Sequence, residues 1–300
     1  MLARIVDDTQ SITGATMTGE TMLRPTTLVL GGTGKTGRRV ADRLMARGVP
    51  TRIGSRSGAP PFDWDDRATW APALCDMEAA YISYFPDVAV PGAVETVGAF
   101  AELAVRLGVR RLVLLAGRGE PEAEQAEQAV RDSGAELTIV RSTWFSQNFS
   151  EGYFTDQVRS GEVALPAGAV REPFVDVDDI ADVAVAALTE HGHVGRLYEL
   201  TGPRLLTFAD AVAEIASATG RDLRYAQISI EAYSGLLREW GVPPDYVTLI
   251  EYLFTEVMDG RNARLADGVQ RALGREPRDF ADYARDAAAG GAWSPLTVNG

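Results

Sequence analysis

The chain has little of the material on which several chemistries depend. A single cysteine, Cys75, among 300 residues leaves no partner for an intramolecular disulfide and too few thiolates for a structural zinc site, and no other metal-ligand spacing stands out. Histidine occurs only as His191 and His193, flanking a glycine in E-H-G-H-V-G, a pattern that reads as a solvated turn. Catalysis through a buried imidazole therefore has poor raw material. Lysine occurs once, as Lys35. No run approaches the roughly 20 apolar residues of a membrane span. Residues 1–22 carry Asp7 and Asp8 and no apolar run, so they read as an N-terminal extension and not as a secretory signal; cytoplasm is the expected location. Basic residues number 29 against 42 acidic ones, a net charge of −13 whose field repels phosphate backbones and anionic lipid. That excess argues against nucleic-acid and membrane partners.

What is present is a regular alternation. Thr27–Leu30, Thr51–Ser55, Ala79–Phe85, Arg111–Ala116 and Glu136–Arg141 read as strands; Thr36–Arg47, Pro91–Leu107 and Glu122–Ser133 read as helices between them. Such a rhythm predicts an α/β protein built on a doubly wound parallel sheet, Rossmann-like, with right-handed crossovers. Past residue 150 the rhythm loosens. Helices are expected over Val177–Leu188, Thr207–Ala218, Glu231–Trp240, Asp245–Met258 and Arg278–Ala289, with strands at Arg196–Leu200 and Leu223–Ile228. We read residues 23–150 as a dinucleotide-binding domain and 151–300 as mainly a smaller α/β substrate domain packed on it. The 46% hydrophobic content suffices for a core of that size.

The most informative segment is G-G-T-G-K-T-G at 31–37, between a strand and a helix. Gly31 permits the tight turn, Gly34 lets backbone approach a pyrophosphate, and Gly37 lets helix and strand pack closely. Thr33, Lys35 and Thr36 complete the loop, and the helix start offers free N–H groups to an anion. The same residues mimic the end of a triphosphate-binding loop, but that motif needs a glycine at position 29, which is Val29. The second strand then selects the cofactor. NAD sites place an acid about 20 residues after the loop to hold the ribose hydroxyls. Here T-R-I-G-S-R-S-G offers none before Asp63, and Arg56 between Ser55 and Ser57 suits a 2′-phosphate. The expected cofactor is NADPH (NADP).

From Thr26 to at least Leu223 the chain resembles the NmrA-like group of atypical short-chain dehydrogenase/reductase proteins. The resemblance rests on the loop, on R-R-L-V-L-L-A-G at 110–117, T-I-V-R-S-T-W-F-S-Q-N-F at 138–149, E-P-F-V-D-V-D-D-I-A-D-V-A at 172–184 and Y-E-L-T-G-P at 198–203. It implies a Rossmann-like sheet with a smaller C-terminal substrate domain. It also implies one of two roles: NADPH-dependent reduction of quinones, azo dyes and similar small molecules, or regulation by dinucleotide binding without turnover. The chain departs from ordinary short-chain dehydrogenases in lacking their Tyr-x-x-x-Lys pair, since position 31, four before the only lysine, is Gly31.

Ligands of open α/β sheets sit at the carboxyl ends of the strands. Those ends supply Tyr84, Phe85 and Pro86, then Gly117 and Arg118, then Ser142–Phe149. Phe85 and Gly117 are expected against the cofactor. Trp144, Phe145 and Phe149 are expected to wall an apolar pocket with Gln147 and Asn148 as polar handles. Tyr84 and Arg118 are the candidates for proton donation or anion binding. Arg141 is expected to pair with Asp176 or Asp179, and Asp178 or Asp179 to cap the helix that follows. The expected activity is NADPH-dependent reduction of a small, conjugated aromatic or quinone-like molecule. The alternatives are a dinucleotide-sensing regulator with a protein partner, and a non-redox enzyme that holds the dinucleotide. The oligomeric state, including a homo-oligomer, stays open.

Overall fold

The computed structural model describes residues 26–152 and 154–294; the N-terminal extension lies outside them. Strands β1 (Thr27–Leu30), β2 (Thr51–Gly54), β3 (Ala79–Ile82), β4 (Arg111–Gly117) and β5 (Glu136–Ser142) are joined by α1 (Lys35–Ala46), α2 (Trp70–Leu74), α3 (Ala93–Arg106) and α4 (Pro121–Asp132). With a later strand, β8 (Leu197–Leu200), they form a six-stranded sheet in the order β2-β1-β3-β4-β5-β8, and every pairing is parallel. The expected strand over Ala79–Phe85 stops at Ile82, so Ser83 to Phe85 are released from the sheet at its carboxyl edge.

Strand residues alternate between two cores, as the two-residue period requires. Leu28, Leu30, Ala80, Ile82, Leu112 and Leu114 face α2, α3 and α4, together with Trp70 and Phe100. Val29, Tyr81 and Val113 face the opposite way, against Val40 and Leu44 of α1 and Val177–Leu188. Each fully buried Leu or Val contributes about 1.5–3 kcal/mol of hydrophobic stabilisation. Because α1 lies on one face and α3 on the other, the connections diverge between β1 and β3. That divergence opens a crevice at the carboxyl ends of these two neighbouring strands.

The second half of the chain divides between two places. After α5 (Phe154–Ser160), β6 (Glu162–Leu165) and β7 (Arg171–Glu172), helix α6 (Val177–Thr189) packs on α1, and β8 returns to the main sheet beside β5. The remaining elements are β9 (Leu206–Thr207), α7 (Phe208–Thr219), β10 (Arg224–Gln227), α8 (Ile230–Glu239), α9 (Pro244–Tyr252), α10 (Gly268–Leu273) and α11 (Phe280–Ala289). Helix α9 runs on into a π-helical turn at Leu253–Val257. β10 pairs with β6 and β7 with β9, each as a two-stranded ribbon. A third core, rich in Phe149, Phe154, Phe174, Phe208, Phe280, Tyr283 and Trp293, holds this second layer together, while α10 packs instead on β8 and α6 of the main sheet.

Several local expectations are corrected. His193 is not solvated: it is buried, its Nδ1 lies 2.9 Å from the Tyr198 hydroxyl, and its carbonyl accepts from Thr138 Oγ1. Burial holds its pKa below the usual imidazole value. Arg141 pairs with neither Asp176 nor Asp179. It forms a two-pronged bond to Glu127 on α4, because β5 carries it toward the face where α4 packs. The cap of α6 is Asp176, which accepts from the Asp178 N–H. Asp179, fully buried, instead accepts from the Arg278 N–H and pairs with Arg275 and Arg278.

Candidate functional site

The loop after β1 is built around two glycines that no other residue could replace without rearrangement. Gly31 sits at φ +63°, in the left-handed region, and its carbonyl accepts from Gly34 N at 2.8 Å. A Cβ on Gly37 would lie 2.2 Å from that same carbonyl oxygen, so only glycine lets α1 start this close to the loop. Gly34 differs: a Cβ there would meet only the Gly31 carbonyl, at 3.2 Å, and the residue is exposed. The protein leaves that side of the loop open, with Thr33 beside it. Helix α1 begins at Gly34 with no side-chain cap and no acid in its first turn. Its first N–H groups and its positive dipole end are therefore available to an anion. These features fit the pyrophosphate of a dinucleotide.

Lys35 turns away from the loop mouth. Its Nζ donates to Asn148 Oδ1 at 2.7 Å, fastening the loop to the turn at Ser146–Phe149. Burial lowers its pKa to about 8; Glu151 opposes this, and Arg38 and Arg39 add to it. Both arginines are themselves paired with Glu151. Thr36 is buried beneath the loop. The register Leu30↔Gly54 brings Ser55 level with Gly31, and Arg56 and Ser57 follow in the turn closed by the Gly58 N–H to the Ser55 carbonyl. Arg52, earlier in β2, donates to the Ala73 and Cys75 carbonyls at the end of α2. Arg56 is exposed and holds no hydrogen bond or ion pair among the described residues, while the Ser55 and Ser57 hydroxyls lie 3.4 Å apart. Asp63, the first acid after the strand, accepts from Asp65 N in its own turn.

At the other strand ends the structure separates the residues that the sequence grouped. Phe85 is 65% exposed at the crevice, its ring 5.6 Å from that of Tyr246. Tyr84 instead joins the core beside α3, its ring 4.9 Å from Trp64; burial raises its pKa. Arg118 is 2% exposed: Nη1 donates to the carbonyls of Asn262 and Arg264, and Nε lies 3.3 Å from Glu199. Gln147 is buried between Asp176 and the Val177 N–H, and Phe149 is fully buried in the third core. Trp144 and Phe145 remain half-buried, Trp144 with its ring 5.1 Å from Phe254. Of the aromatic residues of the C-terminal helices, Tyr233 and Phe254 are core, Trp240 is exposed, and Tyr252 donates to Glu122 Oε2 at 2.7 Å.

Two buried carboxyls escaped the sequence reading. Glu120 immediately precedes Pro121 and so looks like a helix start, but its side chain folds back over Gly117. There it is 6% exposed and within hydrogen-bonding reach of Asp87, from the loop after β3. Glu172 is fully buried; it accepts from Thr143 Oγ1 at 2.8 Å, and Oε1 has no bonded donor among the described residues. Burial raises its pKa to about 7. Glu120 lies in no motif, and Glu172 opens the segment at 172–184 without any pattern that marks it as buried, so only a tally of acids near strand ends could have flagged them.

The parallel sheet, its switch point and the glycine cradle define a Rossmann-type dinucleotide-binding protein. The model of the NmrA-like family matches residues 123–284, and the chain belongs to that family. It is 32% identical to an uncharacterised oxidoreductase, YesF, of Bacillus subtilis (strain 168), over 87% of this chain and 95% of the relative. It is 29% identical to an NAD(P)H azoreductase of Xenophilus azovorans, over 87% and 98%. Among solved structures, the NADPH-dependent quinone oxidoreductase QOR2 of Escherichia coli, in complex with NADPH, shares the fold. Its TM-score is 0.73 at 19% identity, over 87% of this chain and 99% of that one. No helix among the described residues is long and apolar enough to cross a membrane.

Proposed function

We propose that the protein is an NADPH-dependent reductase of small conjugated acceptors, of the quinone or azo type. The observation that carries this reading is Arg56, exposed and unengaged beside the Gly31–Gly37 cradle, where a 2′-phosphate would lie and where no acid competes. Gly31, Thr33, Gly34 and the first turn of α1 would hold the pyrophosphate, Ser55, Arg56 and Ser57 the adenosine phosphate, and Phe85 and Gly117 the far end of the cofactor. When bound, the reduced dinucleotide supplies a hydride. Trp144, half-buried at the end of β5 with its ring against Phe254, would offer apolar wall to an acceptor, whereas Phe145 packs on the core beneath α1 and α6. Relatives named as oxidoreductases and an azoreductase support the same class.

A conjugated acceptor suits the residues present. Its reduced anion is delocalised and is weakly basic, whereas a simple ketone yields an alkoxide that needs a strongly positioned acid. The Tyr-x-x-x-Lys pair that would serve such a ketone is absent. The test is NADPH oxidation by the purified protein with a quinone, an azo dye and an aliphatic ketone. Consumption with the first two and little with the third is expected. No consumption with any acceptor, alongside retained NADPH binding, would favour a dinucleotide-sensing regulator.

A further inference from the structure

Beside the crevice, after the carboxyl ends of β3 and β4, stands a pair of acids that hydride transfer itself does not use. Glu120 stands at the N-terminal boundary of α4, where a side chain would ordinarily cap the helix, yet it makes no capping bond. Its carboxyl turns back onto the end of β4, so close that a Cβ on Gly117 would lie 2.1 Å from Oε1. Glu120 is only 6% exposed, and its Oε2 accepts no N–H or O–H bond among the described residues. The group that faces it is another carboxyl. Asp87, partly exposed, comes from the loop that leaves β3 two residues after Phe85, and its Oδ1 accepts from Ala89 N at 2.9 Å.

Two carboxylates in contact at low dielectric cannot both be charged at modest cost, so the pair retains a proton between its oxygens. Burial, then the charge of Asp87, then that of Glu122 hold Glu120 far above the ordinary carboxylate range; burial raises Asp87 as well. The cations nearby are engaged elsewhere. Arg118, two residues before Glu120, gives Nη1 to the carbonyls of residues 262 and 264 and sets Nε beside Glu199, and its Nη2 has no bonded acceptor among the described residues. Arg261 reaches Asp259 and the Gly119 carbonyl. Tyr252, on α9, binds Glu122. The fold thus sets Glu120 against Gly117 and among acids at the strand ends where a reducible ligand would lie.

We propose that Glu120, sharing a proton with Asp87 at the carboxyl ends of β4 and β3, beside the crevice, is the acid that protonates the reduced acceptor. This rests on the reductase reading above. The acceptor gains two electrons as a hydride from the reduced dinucleotide and becomes an anion at oxygen or nitrogen. That anion takes the proton from the Glu120 carboxyl, breaking its O–H bond, and the pair is left with one more negative charge. Water returns a proton through Asp87, the more exposed member. The role filled elsewhere by a tyrosine is here filled by a carboxylic acid kept neutral by its neighbours.

The experiment compares Glu120→Gln with the native protein on two acceptors. An azo dye needs a proton after hydride addition; a triarylmethane cation becomes neutral on taking hydride and needs none. The substitution is expected to depress azo reduction by about 100-fold more than reduction of the cation. The native rate with the azo dye should fall on an alkaline limb, where the acid is lost, and the variant should lack that limb. Asp87→Asn, which removes the neighbouring charge, should move the limb to lower pH. Independently of turnover, infrared difference spectra at neutral pH should show a protonated carboxylic acid that Glu120→Gln removes. Parallel loss on both acceptors, or no such infrared band, overturns the assignment while leaving the reductase reading intact. Absence of turnover on both acceptors in the native protein overturns the reductase reading and the acid role with it.

Discussion

Replacing Glu172 by glutamine should make the protein less sensitive to pH, by an amount that the structure sets. Glu172 is fully buried, bonded by Thr143 Oγ1, with Arg118 as the nearest compensating charge. Burial raises its pKa from 4.5 to about 7. In the unfolded chain it ionises near its ordinary value. Its folded pKa is the higher one, so its contribution to stability is fully present below about pH 4.5 and is lost as pH rises through about 7. The whole span corresponds to about 3.5 kcal/mol at 1.4 kcal/mol per unit. An acidic chain is poorly soluble near its isoelectric point, so the useful window runs from about pH 5.5 to about pH 8, across which about 2 kcal/mol should be lost. The substituted amide cannot ionise, and Thr143 can donate to its carbonyl or accept from its N–H. Urea unfolding of both proteins at the two pH values isolates the effect, because every other titrating group cancels in the difference. The variant should gain about 2 kcal/mol relative to the native protein between the lower and the higher pH. Parallel pH dependence of the two proteins would refute the argument, and would mean that water or Arg118 solvates the carboxylate.

Two further outcomes follow from the cradle. Arg56→Ala should weaken NADPH about tenfold or more, the value of one charge-assisted contact, and leave NADH unchanged; titration calorimetry with both cofactors decides, and equal losses would remove Arg56 from the phosphate site. Gly37→Ala should abolish tight dinucleotide binding and cost about 1–3 kcal/mol of stability, since its methyl group meets the Gly31 carbonyl at 2.2 Å; native affinity and an unshifted melting temperature would show that the loop yields more easily than its geometry implies.

The backbone plan was legible because it depends on local patterns. Apolar runs between amphipathic stretches marked the sheet strands, and the three-residue glycine spacing marked the turn, since φ +63° at Gly31 and the contact at Gly37 are requirements of single positions. The missing acid before Asp63 and the presence of Arg56 were likewise local. What the sequence alone determined is thus the parallel sheet, the position of the cradle and the presence of Arg56 in place of an acid after the second strand. Tertiary structure decided the partners. It gave Arg141 to Glu127 and not to the acids of α6, buried His193 under Tyr198, and turned Lys35 onto Asn148. It also drew Arg118 into a cage of carbonyls and brought Glu120 against Asp87 across two loops. Each of these joins residues from separate elements, through side chains whose direction depends on how the layers pack. No periodicity encodes such a meeting: a buried charge settles where desolvation is best compensated, and that place exists only once the chain has folded.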